Sequence, residues 1–94
     1  MLPQVLTHAA KLRRALMPLG AQSIRLFGSV ARGDDTESSD IDLLVAVEPD
    51  VGLFTLLSMQ REAEEILGRP VDLVPSTGLK PGIADAIERD SIAL

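Results

Sequence analysis

The run Ile41–Val47 constrains the fold of this chain most strongly. Five of its seven residues are Ile, Leu or Val, and the run ends at Glu48-Pro49. This composition is typical of a β-strand, and the residue before a proline avoids helical backbone geometry. The sequence therefore predicts a strand at Ile41–Val47, around which the remaining elements have to pack.

The length and composition allow one core around this strand. With 94 residues, of which 46% are hydrophobic, we expect one folded domain over residues 1–94.

The absence of cysteine excludes disulfides, thiolate zinc sites and a cysteine nucleophile, and nothing suggests export, so we expect a cytoplasmic protein. The most apolar window has seven residues, whereas a membrane span needs roughly 20. A net charge of −5 also disfavours a long nucleic acid as the main partner.

Helical and strand patterns surround the predicted central strand. Val5, Ala9, Leu12 and Leu16 recur in steps of four and three, which predicts one helix that ends before Pro18. The sequence leaves open whether Ser91–Leu94 ends the last helix or forms a short edge strand. The other predicted elements are strands at Ile24–Phe27 and Val71–Val74, a helical turn at Val30–Arg32, a loop at Gly33–Ser39, a helix with Leu53, Leu56, Leu57, Ala63, Ile66 and Leu67 on its apolar face, and a helix around Ile83–Arg89.

Two carboxylates stand at the start of the central strand. Asp40 and Asp42 are two residues apart, and residues with this spacing project from the same face of a strand. Two like charges this close are unfavourable unless a cation lies between them, and hard oxygen donors suit Mg²⁺ or Mn²⁺. The alternative interpretation is that Asp40 caps a loop and Asp42 is a solvated residue on an edge strand. The pattern favours a divalent metal site.

The turn Gly28-Ser29 joins the preceding strand to the short helical turn. Because glycine has no Cβ, a ligand can approach the backbone, and helix N-terminal amides together with the Ser29 hydroxyl can bind phosphate. Taken alone, Gly-Ser after a strand is more often an ordinary turn. Near two candidate metal ligands, however, the pair indicates nucleotide chemistry, because bound phosphates require a cation.

Two other ligand-binding motifs, the P-loop and the EF-hand loop, do not match this sequence. Gly28 and Gly33 have the spacing of a P-loop, but Asp34-Asp35 stand where that loop needs lysine and then serine or threonine. The segment from Asp34 onward alternates like an EF-hand loop, but Ser39 replaces the required glycine and Val45 stands where the bidentate glutamate should be.

The segment Gly28–Val45 resembles a known signature. Gly28-Ser29-Val30-Ala31-Arg32-Gly33, a polar loop, and then Ser39-Asp40-Ile41-Asp42-Leu43-Leu44-Val45 are closely similar to the signature of minimal nucleotidyltransferases in the DNA polymerase β superfamily. The order of the predicted elements is similar along nearly the whole chain. The resemblance implies a polymerase β-like nucleotidyltransferase fold of the α/β (α+β) class, with a small mixed sheet, helices packed on one face, and the opposite face left to the nucleotide.

The resemblance also implies roles for individual residues. Gly28 and Ser29 would hold a nucleoside triphosphate, while Asp40 and Asp42 would be catalytic metal ligands. Asp72 would be the third catalytic, metal-binding carboxylate, which in the superfamily helps to activate the attacking hydroxyl. Each of these roles is an expectation carried over from the family.

Four further residues lie outside the matched acidic and glycine positions. Arg32 can reach a phosphate, although a solvated helix residue is an equally good interpretation, so it is a secondary nucleotide-binding candidate. His8 is the only histidine, and we expect it on the surface. Phe27 and Phe54 are the only aromatic residues, and we expect both in the core.

The resemblance finally implies a biological role. Similar minimal members are encoded beside a helical HEPN-domain protein and act as the antitoxin to that ribonuclease toxin, in some pairs by transferring AMP from ATP onto a tyrosine of the toxin. We therefore expect an enzyme that uses ATP with Mg²⁺ or Mn²⁺ and pairs with a HEPN-domain toxin. A catalytically inactive antitoxin that acts by contact, and a transferase for a small molecule, remain alternatives. Because the chain is small and carries apolar helices, we also expect self-association or a standing partner.

Overall fold

A computed structural model describes all 94 residues, Met1–Leu94. The sheet has four strands in the order β3-β2-β1-β4. The central strand β2 pairs antiparallel with β1 and parallel with β3, and β4 pairs antiparallel with the other edge of β1. The mixed sheet is thus confirmed, and the residues after Ser91 form an edge strand. The strands are β1 (Ala21–Phe27), β2 (Ile41–Val47), β3 (Val71–Pro75) and β4 (Ile92–Ala93).

Five helices surround the sheet, with 3-10 turns at Met17–Leu19 and Ser76–Gly78. None of the five is both long enough and apolar enough to cross a membrane. The helices are α1 (Leu2–Thr7), α2 (Ala9–Leu16), α3 (Gly28–Arg32), α4 (Leu53–Leu67) and α5 (Pro81–Asp90).

The predicted first helix is divided into two at His8. This residue lies at φ −95° and ψ 5°, outside regular helix geometry. The Thr7 hydroxyl donates to the Pro3 carbonyl at 2.8 Å, and the His8 Nδ1 lies 2.7 Å from the Gln4 carbonyl oxygen. Side chains that bond to backbone carbonyls in this way compete with the helical hydrogen bonds. The prediction of one continuous helix was therefore wrong at this position.

The core lies between one face of the sheet and helices α1, α2 and α4. Ile24 and Leu26 of β1 alternate with residues that face the other way, and the central strand contributes its odd-numbered positions. The predicted α+β architecture is confirmed. The core side chains include Val5, Leu12, Leu16, Ile24, Leu26, Val30, Ile41, Leu43, Val45, Met59, Ala63, Leu67 and Val71.

The second face of the sheet carries a different set of side chains. In the β1–β2 register, Arg25 stands opposite Leu44 and Phe27 stands opposite Asp42. Helix α5 flanks this face at the β1 edge, where Arg25 Nε donates to the Ser91 hydroxyl. The prediction that the helices pack on one face of the sheet therefore holds for α1, α2 and α4, whereas α5 borders the second face.

The start of α4 differs from the sequence prediction. The buried side of this helix centres on Ala63, and Met59, which the prediction left out, is fully buried. A helix turns by about 100° per residue, so Phe54 lies opposite Ala63 and Leu57 lies well away from the buried side. Leu53, Phe54 and Leu57, here called the apolar start of α4, are 68%, 85% and 45% exposed. Placing Leu53 and Leu57 on the buried face, and Phe54 in the core, was wrong.

Candidate active site

Strand register brings the predicted carboxylates to one end of the sheet. Asp42 of β2 is paired with Asp72 of β3 and with Phe27 of β1. Residues that stand opposite one another in a sheet lie on the same face, so these three side chains form a row on the second face. Asp40 is exposed and immediately precedes β2. The three acids Asp40, Asp42 and Asp72 are here called the acidic row.

The charges around Asp42 are unbalanced. Partial burial raises the pKa of Asp42 above the usual carboxyl value, because it disfavours the charged form. Repulsion by Asp72, and then by Asp40, raises this pKa further, while the Arg32 guanidinium lowers it. The other three predicted charged site residues therefore all act on this one carboxylate. A bound cation would relieve the repulsion between the three acids.

The Gly28 backbone is pressed against the Asp42 side chain. Gly28 has φ +76°, and a Cβ built on it would lie 2.2 Å from Asp42 Oδ2. Glycine is required for two independent reasons, since other residues rarely adopt this φ and no side chain has room here. The absence of a Cβ thus lets the turn that begins α3 approach the acidic row.

Ser29 and Arg32 lie on the same short helix. Ser29 is half-buried directly after Gly28, and Arg32 is exposed in the last turn. Arg32 Nε lies 3.3 Å from Asp34 Oδ2. Exposed ion pairs of this kind contribute little to stability, so Asp34 holds the Arg32 side chain only weakly.

The donor atoms fit a hard divalent cation in their chemistry. Carboxylate oxygens are the ligands that Mg²⁺ takes from proteins, and their mutual repulsion at Asp42 is what such an ion would offset. As the side chains lie in this structure, no group of three Asp, Glu, His or Cys residues could hold a metal ion. The fit therefore rests on donor type and charge, and the roles of Asp40, Asp42 and Asp72 stay predictions.

Arg69 is a residue that the sequence analysis missed. Its guanidinium donates to the carbonyl oxygens of Thr36 at 3.1 Å and Glu37 at 3.0 Å, and also to that of Ser39. These three carbonyls belong to the loop that leads into Asp40, so Arg69 ties this loop to the chain just before β3. No sequence signal marks it, because an arginine after a helix is normally solvated.

A cleft of about 340 Å³ opens beside the Gly28 turn. Phe27 lines it from the sheet and is half-buried, so the prediction of a core position for Phe27 was wrong. Strand alternation would have found this residue, because Leu26 points into the core and its neighbour must point to the other face. The cleft is lined by Phe27, Gly28, Arg32, Ala86, Ile87 and Asp90.

Comparison with known proteins identifies the family. The family model described as nucleotidyltransferase domain matches residues 9–94. The protein adenylyltransferase MntA of Thermococcus cleftensis is 36% identical over 85 residues, which cover 90% of this chain and 83% of that protein. The nucleotidyltransferase resemblance of Gly28–Val45 is thereby confirmed.

Solved structures agree with this family. One assigned to the minimal nucleotidyltransferases superposes with a TM-score of 0.90 at 35% identity, covering 99% of this chain and 95% of that one. A chain from the complex of a tri-AMPylated Shewanella oneidensis HEPN toxin with MNT antitoxin gives a TM-score of 0.69 at 22% identity, covering 99% and 71%, a likeness of fold alone. This chain therefore belongs to the nucleotidyltransferase domain family and is a nucleotidyltransferase of the minimal type.

Proposed function

We propose that this chain transfers AMP from ATP to a hydroxyl group of a protein, in a reaction that depends on Mg²⁺ or Mn²⁺. The observation that carries the proposal is the position of Asp42, which lies near two other acids and against a turn with no room for a Cβ. The 36% identity to a protein adenylyltransferase supports AMP as the transferred group and a protein as the acceptor.

The residues of the site divide the work of such a transfer. Gly28 and Ser29 bind the triphosphate, and the Arg32 guanidinium adds positive charge beside it. Asp40, Asp42 and Asp72 would hold the metal, which when bound stabilises negative charge on the phosphates. Orienting the two reactants in line supplies a large part of the rate.

Asp72 is the residue proposed to receive the proton of the acceptor hydroxyl. It is exposed and faces Asp42 from β3, so an incoming protein side chain can reach it. The hydroxyl oxygen forms a bond to the α-phosphorus of ATP, the bond from that phosphorus to the bridging oxygen breaks, and pyrophosphate leaves.

The proposed acceptor is a tyrosine of a HEPN-domain toxin, for which this chain would be the antitoxin. The resemblance of Gly28–Val45 implies this partner, and a structural neighbour of the same fold comes from a complex of an AMPylated HEPN toxin with its antitoxin. The apolar start of α4 is the surface proposed for the contact, because exposed apolar clusters usually mark protein interfaces. Glu48 and Asp50 precede it, so a partner with an apolar centre and a basic rim would fit.

A second function, neutralisation of the toxin by contact alone, is favoured by one specific observation. The Val51 methyl group approaches Gly20, just before the start of β1, whereas the acids lie beside the end of β1. The apolar start of α4 is thus remote from the acidic row, and a partner held there could be blocked without any transfer.

Labelled ATP separates the two functions. The protein is mixed with ATP labelled in the α-phosphate, Mg²⁺ and the candidate HEPN partner, and label on the partner is followed. We expect transfer by the wild type and by Asp85→Ala, an exposed acid outside the site, but none by Asp42→Ala. The chain contains no tyrosine, so tyrosine-linked label comes from the partner. If the wild type transfers nothing while Asp42→Ala still neutralises the toxin, contact alone is the function.

A further inference from the structure

We infer that the cleft between Phe27 and α5 binds the nucleoside of the triphosphate, with the base packed against the Phe27 ring. This inference rests on the proposed function, since it needs a triphosphate held at Gly28. It goes further by naming the surface that separates a nucleotide from a bare polyphosphate.

The cleft is continuous with the proposed phosphate site. Gly28 belongs both to the turn that approaches Asp42 and to the wall of the cleft, and Arg32 lines the cleft from the same helix. A triphosphate bound at Gly28 can therefore extend its ribose and base into the cleft without leaving the protein surface.

The chemistry of the walls suits the uncharged part of a nucleotide. Phe27, Ala86 and Ile87 supply an aromatic ring and two aliphatic groups, whereas the Asp90 carboxylate on the same helix repels phosphate. Bases of every kind stack on aromatic side chains because each has a π-face. Phe54, the only other aromatic residue, lies on α4 and does not line this cleft.

The row of side chains on the second face separates this cleft from the acceptor. Asp72 stands on one side of Asp42 and Phe27 stands on the other, on the strand that borders α5. A protein hydroxyl that approaches Asp72 therefore leaves the Phe27 side of the site free. The nucleoside and the acceptor then occupy opposite sides of Asp42.

The test compares binding of ATP with binding of inorganic tripolyphosphate, both in Mg²⁺ and measured by calorimetry on the full chain. Phe27→Leu keeps an apolar side chain but removes the ring, and should weaken ATP binding about fivefold or more, the lower end of the effect of losing a base stack. Ala86→Trp fills the cleft from an exposed position and should weaken ATP binding more strongly. Tripolyphosphate binding should not change in either variant.

Asp85→Trp is the matched control, because it adds the same ring to α5 outside the cleft. It should bind both ligands as the wild type does, and circular dichroism checks that all variants are folded. Ala86→Trp keeps the test decisive if Phe27→Leu is unstable.

Three results of the binding measurements would overturn the inference. These are unchanged ATP binding in both cleft variants, equal weakening of ATP and tripolyphosphate, and a wild type that binds ATP no better than tripolyphosphate. Loss of partner labelling with unchanged ATP binding would assign the cleft to the acceptor and overturn it as well. If ATP binding depends on the cleft but the wild type transfers no AMP, the proposed function fails and the nucleoside site stands.

Discussion

The acidic row and the apolar start of α4 are two regions in which the isolated chain leaves an interaction unsatisfied. In the first, repulsion between Asp42, Asp72 and Asp40 raises the pKa of Asp42. In the second, Phe54 is 85% exposed beside two exposed leucines. Like charges call for a cation, whereas exposed apolar groups call for a protein surface. Because the two regions lie at opposite ends of the strands, variants can separate chemistry from partner binding.

The largest expected effect is on transfer, from Asp42→Asn. The substitution keeps the shape of the side chain but removes the central negative charge, so transfer should fall roughly a thousandfold or more. Single-turnover transfer of labelled AMP measures this, and a partner titration serves as control. Partner affinity should stay unchanged, and a matching loss of affinity would mean that the two regions are not independent.

Gly28→Ala tests how closely the turn and Asp42 are packed. The left-handed backbone costs a residue with a Cβ about 1–2 kcal/mol, and the collision with Asp42 Oδ2 should add about 1–3 kcal/mol. Gly33→Ala is the matched control, because it has φ +79° with no atom within 4 Å of the added Cβ. Urea unfolding should show a clearly larger loss for Gly28→Ala, and equal losses would contradict the tight approach.

Phe54→Ala is aimed at partner binding, whereas Asp42→Asn is aimed at transfer. If this side chain anchors the partner, its removal should weaken the complex by about 2 kcal/mol, or roughly thirtyfold. Because the ring is exposed, the free energy of unfolding of the isolated chain should change by no more than about 0.5 kcal/mol. A titration with the partner and a urea curve test both points. Unchanged affinity would remove the apolar start of α4 from the interface.

Arg69→Lys examines how the acidic row is positioned. A lysine ammonium cannot replace the planar guanidinium that serves three carbonyls at once, so the loop before Asp40 should loosen. We expect transfer to fall roughly tenfold. Partner affinity is the control, since a role confined to the loop before Asp40 should leave it intact. ATP binding measured in Mg²⁺ shows whether the loss of transfer arises at the step of nucleotide binding.

The smallest expected effect is the pH dependence of stability at Asp42. Its pKa is higher in the folded than in the unfolded chain, so the folded state binds more protons and loses stability as pH rises through that pKa. Without metal, Asp42→Asn should therefore be more stable than the wild type at neutral pH, by about 0.5 kcal/mol or less after solvent screening. Below the ordinary carboxyl pKa of about 3.9 the difference should vanish. Urea unfolding in a chelator at both pH values measures it, and a wild type more stable than the variant at neutral pH would contradict the repulsion.

The sequence by itself determined the features that depend on local chemistry. The bounds of β2 agree with the predicted Ile41–Val47, because a dense run of branched side chains favours extended backbone regardless of its neighbours. The family resemblance could also be identified from the sequence, because the spacing of Asp40 and Asp42 and the turn at Gly28-Ser29 are local patterns. Each of these signals lies within a few residues.

Only the tertiary structure decided which distant residues meet. The parallel register of β2 and β3 brings Asp72 beside Asp42, and the end of α4 brings Arg69 to the loop before Asp40. Helix α5 lies beside Phe27, so this side chain lines one wall of a cleft. The rotation of α4 about its own axis leaves Phe54 in solvent. Strand register and helix rotation are set by packing between segments far apart in the chain, so periodicity within one segment cannot specify them.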